Sequence, residues 1–294
     1  MSEIIGKSVG WVEERRREQT DAGLPFLNPT YSEIGNCRVR EYEGLRCFSL
    51  SDFPALHGFF ARKGGVSEPP YASLNTAYIS KDPHAPVNRK ILFEKVGIDN
   101  RPVRILNPCH GDKIVFEDNA GWERQPQDVL IQTDAAFTRT PGTYFLVSTA
   151  DCIAAVFTDT SLSFTGVVHL GWRNLLAGFT GKVIAALQSQ YGMRADDLLV
   201  GIGPMIYPCC YVFKDPVQKN ESFWQPFLRN RGNGNYAIDL VSAFKAQLNG
   251  YGVPDEHISE TGICTSCQNH LFFSCYREGY FSGRFPTLVG LKAA

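Results

Sequence analysis

The sequence has no apolar run of roughly 18 residues or more that could cross a bilayer as a helix. Its opening stretch, MSEIIGKSVGWVEERRREQ, lacks the apolar centre of a secretory signal. Both absences point to a cytoplasmic chain with no membrane partner. Excess charge is missing too: 29 basic residues face 30 acidic ones, for a formal net charge of -1. No broad positive surface for nucleic acid follows from such a balance, so a small-molecule site is favoured. Histidine is scarce, with six residues (His57, His84, His110, His169, His257 and His270) and no HxH pair. That argues against a site with several copper ions, which needs many clustered imidazoles. There is no repeat at a fixed period. The nine cysteines are odd in number and irregularly spaced, unlike the framework of a small disulfide-stapled domain, and read as thiols of a reducing compartment.

What is present is an ordinary globular composition over 294 residues, 44% hydrophobic and 20% charged, enough for one large domain or two smaller ones. The stretch from Thr149 to Arg173, TADCIAAVFTDTSLSFTGVVHLGWR, holds Cys152 and His169 at the ends of two short apolar runs. Read as a hairpin turning near Thr160 and Ser161, it pairs Ala154 with Val167 and Cys152 with His169. Opposed residues share a sheet face with Cβ atoms about 4.5–5.5 Å apart, which suits two ligands of one metal or a thiolate and its base. The other face would carry Ile153, Ala155, Phe157, Phe164 and Val168 into a core. Against this stands the plainer reading, in which a buried cysteine and a hydrogen-bonded histidine have no role beyond packing.

Residues 1–40 read as an extension containing a charged run, Glu13 to Glu18, with 41–294 as the domain. RCFSL and HGFFAR read as short strands. RKGGVSEPPYASLN, Arg62 to Asn75, is a loop of fixed shape in which Gly64 and Gly65 offer backbone N–H groups to an anion and Arg62 and Asn75 add side-chain donors. A scaffold helix opens at Asp82, Pro83 and Pro86 with Val87, Ile91, Leu92 and Val96 on its apolar face. VRILNPCHGDKIVFED reads as two strands around a turn at Cys109, His110 and Gly111. After His169 one helix carries Leu175, Leu176, Phe179, Val183, Ile184, Leu187 and Tyr191, with Arg173 just before it and aimed, like the helix N-terminus, at an anion. Asp239 caps a second amphipathic helix with Leu240, Val241, Phe244 and Leu248. The final thirty or so residues read as short aromatic strands. The interleaving describes one mixed α+β domain.

Two imidazoles and a thiol, His110, His169 and Cys152, match the three-ligand set of a catalytic zinc site, with a fourth position open for water or substrate. Such an ion makes hydroxide available near neutral pH. The rival is a metal-free cysteine hydrolase in which His169 activates Cys152 and Asp151 or Asp134 orients the imidazole. Cys264 and Cys267 form a single CxxC with no second pair at zinc-ribbon spacing, which reads as chance or a structural contact.

The motifs RKGGVSEPPYASLN, HGD (His110 to Asp112), TDAA (Thr133 to Ala136), ADC (Ala150 to Cys152), HLGWR (His169 to Arg173), GPMIYPCCY (Gly203 to Tyr211) and SGR (Ser282 to Arg284) together resemble the laccase-domain, or YfiH-like, family, in the same order across 45–292. The resemblance implies a four-layer α/β/β/α domain with Zn2+ held by His110, Cys152 and His169. It implies phosphorolysis of inosine, guanosine, adenosine or methylthioadenosine to base and ribose 1-phosphate, with hydrolytic deamination of adenosine to inosine. Arg62, Asn75 and Arg173 are then the candidates for phosphate and ribose contacts, in a monomer or homodimer. This chain differs from the family pattern at Pro108 and Cys109, Asn174, Val212, and Tyr276 with Arg277. A non-catalytic member retaining the fold is the third alternative.

Overall fold

Period-two alternation in almost wholly apolar strands dictates a sheet buried on both faces, and the longest strands show it. The computed structural model describes residues 32–34, 37–119 and 129–292. Eight strands form one sheet in the order β1 (Ser32–Ile34), β2 (Cys37–Tyr42), β3 (Leu45–Leu50), β4 (Leu56–Phe60), β17 (Phe285–Gly290), β9 (Tyr144–Thr149), β5 (Val103–Leu106) and β7 (Val129–Ile131). Six form a second: β16 (Ile258–Glu260), β12 (Leu198–Ile202), β10 (Ile153–Asp159), β11 (Thr165–Leu170), β8 (Ala135–Thr138) and β6 (Ile114–Phe116). A small third sheet joins β13 (Val212–Lys214), β15 (Asn235–Ile238) and β14 (Leu228–Gly232).

Parity sorts the side chains into three apolar seams. In β9, Phe145 and Val147 point between the large sheets to meet Ala154, Val156, Val167 and Phe59. Their neighbours Tyr144 and Leu146 point outward beneath Leu92 and Phe93 of α1 (Ala85–Lys95). In β10, Ile153, Ala155 and Phe157 face away, under α3 (Phe179–Tyr191) and α4 (Leu240–Gly250), which contribute Val183, Leu187, Phe244 and Leu248. Each Phe or Leu buried this way is worth about 1.5–3 kcal/mol. The layering is α/β/β/α, as the resemblance implied.

Between β5 and β10 the chain changes sheet at every step: β5, β7 and β9 lie in the eight-stranded sheet, β6, β8 and β10 in the six-stranded one. The segment VRILNPCHGDKIVFED is therefore a crossover between sheets, not a hairpin. The turn at Cys109, His110 and Gly111 lies between the two strands as read, but the sheet each strand joins does not follow from spacing, because both pair with partners distant in sequence.

Several local expectations are corrected. In the β10–β11 hairpin Ala154 opposes His169 and Ile153 opposes Leu170, so Cys152 lies just before the strand. The loop is longer than a tight turn because the Asp159 carboxylate accepts from the Ser163 N–H at 2.7 Å and the Ser161 hydroxyl at 3.0 Å, with Leu162 at φ 56°. The slip is even, so face assignments survive. The His169 face is nevertheless inter-sheet core rather than an open surface, and chemistry is confined to the strand end. The helix after His169 is split at Gly178 (φ 72°) into α2 (Trp172–Leu176) and α3, which places Arg173 inside α2. The C-terminal stretch forms turns, the short α5 (Cys275–Glu278) and β17 alone. β1 and β2 extend the large sheet into the stretch read as an extension, whereas Glu13 to Glu18 lies outside the described residues.

On α1, Val87 is exposed and the inward face is partly polar, with Asn88 and Arg89 buried. Asn88 Oδ1 accepts the Val66 N–H at 2.8 Å, and its Nδ2 is shared among Ser67 Oγ, the Ser73 carbonyl and the Asn75 carbonyl at 2.7–3.0 Å. The helix thus clamps the loop from Arg62 to Asp82, a task hydrophobic spacing does not reveal. Asn88→Ala strands several buried polar groups and is expected to cost about 2–4 kcal/mol in a urea denaturation experiment.

Candidate metal centre

A single buried carboxylate assembles the site. Asp134, in the β7–β8 crossover, accepts backbone N–H groups from Cys109 at 3.2 Å, His110 at 3.0 Å and Gly111 at 2.9 Å. Its Oδ1 also lies 2.8 Å from Nδ1 of His169, near the end of β11. One side chain therefore fixes both the turn that carries His110 and the orientation of the second imidazole. His110 sits at φ 57° and its ring meets that of His169 edge-on, with centroids 4.8 Å apart. With Nδ1 of His169 engaged, its Nε2 is left for a ligand, the arrangement seen where a carboxylate supports a metal-bound histidine.

Cys152 arrives from the β9–β10 crossover. The preceding Asp151 has φ 83°, and its carboxylate accepts from the Thr265 hydroxyl and the Tyr276 N–H, both at 2.6 Å. Ligand atoms of His110, Cys152 and His169 all lie within 4.8 Å of one another. Tetrahedral zinc with Zn–N near 2.0 Å and Zn–S near 2.3 Å separates its ligands by roughly 3.3–3.8 Å, so the trio fits one ion after small adjustment. Gly171 closes the pocket: a Cβ there would stand 2.5 Å from His110 Nδ1 and 3.4 Å from Cys152 Sγ. Asn174 accepts the Gly171 N–H at 2.8 Å and donates to the His169 carbonyl at 3.0 Å, which locks the end of β11 to α2. The family-pattern difference at this position thus has a structural role.

Electrostatics follow from this packing. Burial by itself presses the His169 pKa down, but the Asp134 hydrogen bond and the adjoining Cys152 thiol outweigh it and raise it to about 9. For His110, burial and the neighbouring His169 lower it to about 4. Burial would raise the Asp134 carboxyl, yet its bond to His169 holds it well below the usual range.

Arg173 is exposed in α2, its guanidinium 4.5 Å above the Trp172 ring, and forms no ion pair among the described residues. Arg62 is placed otherwise: it donates to the carbonyls of Ala72 at 3.2 Å and Asn269 at 2.7 Å, pairs with Glu278 at 2.7 Å, and lies 4.1 Å from the Phe273 ring centre. Asn75 is fully buried, donating to Ser80 and Asp82 and accepting the Arg284 N–H. The Gly64 and Gly65 N–H groups both donate to Ser73 Oγ, so the loop's expected anion nest is filled by its own serine. Beside Asp151 stands an aromatic group missed by motif reading, in which Tyr211, Phe213 and Tyr276 have ring centres 4.8–5.9 Å apart.

Fold and site together define a two-sheet sandwich with a His2Cys centre at the sheet junction. The family model described as multi-copper polyphenol oxidoreductase laccase matches residues 56–292, and the chain belongs to this YfiH-like family. It is 30% identical over 261 residues to the purine nucleoside phosphorylase YlmD of Geobacillus stearothermophilus, covering 84% of this chain and 94% of that protein. It is 33% identical over 238 residues to a purine nucleoside phosphorylase of Pseudomonas aeruginosa, covering 79% and 91%. The crystal structure of the Geobacillus YlmD superposes with a TM-score of 0.76 at 29% identity, covering 86% of this chain and 98% of that one. No helix among the described residues is long and apolar enough to cross a membrane.

Two outcomes are expected. Asp134→Asn should weaken metal affinity about 10–100-fold in a competition titration with a chromophoric chelator. In metal-free protein, the raised His169 pKa stabilises the fold fully below about 6.5, and that contribution fades as pH climbs through about 9. The unfolding free energy of chelator-treated protein in urea should fall across that window by up to about 3 kcal/mol, and His169→Gln should flatten the profile.

Proposed function

We propose that the chain is a zinc-dependent purine nucleoside enzyme. It would cleave inosine, guanosine, adenosine or methylthioadenosine with phosphate, and deaminate adenosine hydrolytically to inosine. The observation that carries the reading is the convergence of His110, Cys152 and His169 beside an exposed Arg173 that forms no ion pair among the described residues. The names of the relatives agree with it. The donor set suits zinc: two imidazoles and a thiolate leave a coordination position open. Among the described residues no other metal-capable group contains a histidine, which disfavours the several copper ions of the family model's description. A location in the cytoplasm fits nine cysteines that are all free thiols.

In phosphorolysis a phosphate oxygen bonds to ribose C1′ as the C1′–N9 bond breaks, and the electron pair leaves with the base, which takes up a proton. Arg173 would hold the phosphate through its exposed guanidinium. Tyr276 offers an exposed ring on which a purine can stack. Arg62 and Asn75 would serve the ribose side by holding the wall formed with Glu278 and Arg284, and direct contact by Arg62 requires it to leave Glu278. In deamination a water oxygen bonds to C6 of adenine and the amino group departs as ammonia. Zinc would supply a Lewis acid for polarising a substrate or water oxygen.

One observation favours a second reading. Asp134, His169 and Cys152 stand in the order of an orienting acid, a base and a nucleophile, which is the arrangement of a metal-free cysteine hydrolase. In it Asp134 is the orienting acid, since Asp151 is committed to Thr265 and Tyr276.

The test is incubation with adenosine and with inosine, with and without phosphate, products being resolved by chromatography. Free base that appears only with phosphate supports phosphorolysis, and inosine from adenosine in either condition supports deamination. Cys152→Ala should lower both rates by more than about 100-fold, since even supporting residues of metal sites cost 10–100-fold. Arg173→Ala should raise the phosphate KM and leave deamination unchanged. Activity that survives chelation and is lost on alkylation of Cys152 would favour the cysteine hydrolase.

A further inference from the structure

Fifty-odd residues separate the adjacent pair Cys209 and Cys210 from the lone CxxC of Cys264 and Cys267, and the fold brings the two pairs together. Their four sulfur atoms all lie within 4.8 Å of one another. Cys267 Sγ is 3.5 Å from Cys209 Sγ and 3.4 Å from Cys210 Sγ, and the two adjacent sulfurs are 3.9 Å apart. The missing second pair at zinc-ribbon spacing is therefore supplied by topology, as two neighbouring residues on another turn.

We propose that Cys209, Cys210, Cys264 and Cys267 form a second metal site that holds one zinc ion in a closed four-thiolate shell, separate from the His110, Cys152 and His169 centre. A tetrahedral ion with Zn–S near 2.3 Å places its sulfurs about 3.8 Å apart, the spacing these thiols already approach. Four soft ligands with no carboxylate or imidazole select zinc or iron over the harder cations. With no open coordination position, the ion is structural.

The backbone is shaped for it. After β12, the Cys210 and Tyr211 N–H groups close a turn on the Tyr207 carbonyl, and the Gln268 N–H closes the second turn on the Cys264 carbonyl. A parallel bridge joins Met205 to Cys264, and the Thr265 N–H donates to the Met205 carbonyl. Backbone hydrogen bonds from Cys267 and Tyr207 reach the Cys264 sulfur, as amides do at metal-bound thiolates. Cys264 is buried and Cys209 and Cys267 are exposed, so the ion enters from solvent.

The site has a positioning consequence. The first turn sends the Ile206 N–H to the Asp151 carbonyl at 3.0 Å, and the second sends the Thr265 hydroxyl to the Asp151 carboxylate at 2.6 Å. Zinc would staple together the two segments that grip the residue before Cys152.

The experiment uses the full chain purified under reducing conditions without chelator, with metals counted by plasma mass spectrometry. Cys152→Ala/His169→Ala removes the first centre and should keep about one zinc per chain, and adding Cys209→Ser/Cys267→Ser should remove it. Cobalt(II) loaded into the Cys152→Ala/His169→Ala protein should give strong thiolate-to-cobalt charge transfer and tetrahedral visible bands. This reading needs no change in the four cysteines and so stands even if the serine variant fails to fold. A folded Cys152→Ala/His169→Ala protein with no zinc and no such cobalt spectrum overturns the proposal. So does recovery of the four cysteines as disulfides under these conditions, and iron in place of zinc overturns the choice of metal.

Discussion

The Asp134 carboxylate is the constraint on which the rest of the site depends. A buried charge of this kind persists only when its oxygens are well supplied with donors, and here three successive backbone amides and an imidazole supply them. The cost of burial thereby orders the structure. The amides impose the positive φ of His110, the imidazole is held in one orientation, and two strands of one sheet are tied to a loop leaving the other. The opposed pKa shifts of His169 and His110 follow from which ring touches that carboxylate.

A second constraint is topological. Because the chain changes sheet at each step from β5 to β10, each crossover must pass over the rim of the inter-sheet core, and His110, Asp134 and Cys152 all lie on such crossovers. Crossover backbone is short of ladder partners and satisfies itself through side chains, which is the work done by Asp134 for Cys109, His110 and Gly111. Strand ends therefore bear the chemistry, and the packed alternation of β9 and β10 keeps them in place.

Much of this could be read from residue order. The apolar alternation of β10 and β11 and the Asp239 cap were accessible, since each depends on neighbours in sequence. The hairpin register was not, because a single aspartate stretches the loop beyond what turn composition suggests. Nor was the inward polar face of α1, where Asn88 is buried by what it binds rather than by hydrophobicity. The Gly64 and Gly65 amides had the right form for an anion, but Ser73 occupies them. The four-cysteine group was invisible for another reason: its halves are joined only when β12 and the segment after β16 run side by side.

The eight-stranded sheet has a history built into its order. β17, last of the described strands, lies between β4 and β9, in the middle of the sheet rather than at its margin. Until it arrives during synthesis, β4 and β9 each present a bare row of amides and carbonyls to anything able to pair with them. The stretch that carries His110, Cys152 and His169 emerges from the ribosome well before that gap is filled. The growing chain thus holds an open slot between β4 and β9 from the time β9 is made until Phe285–Gly290 follow it.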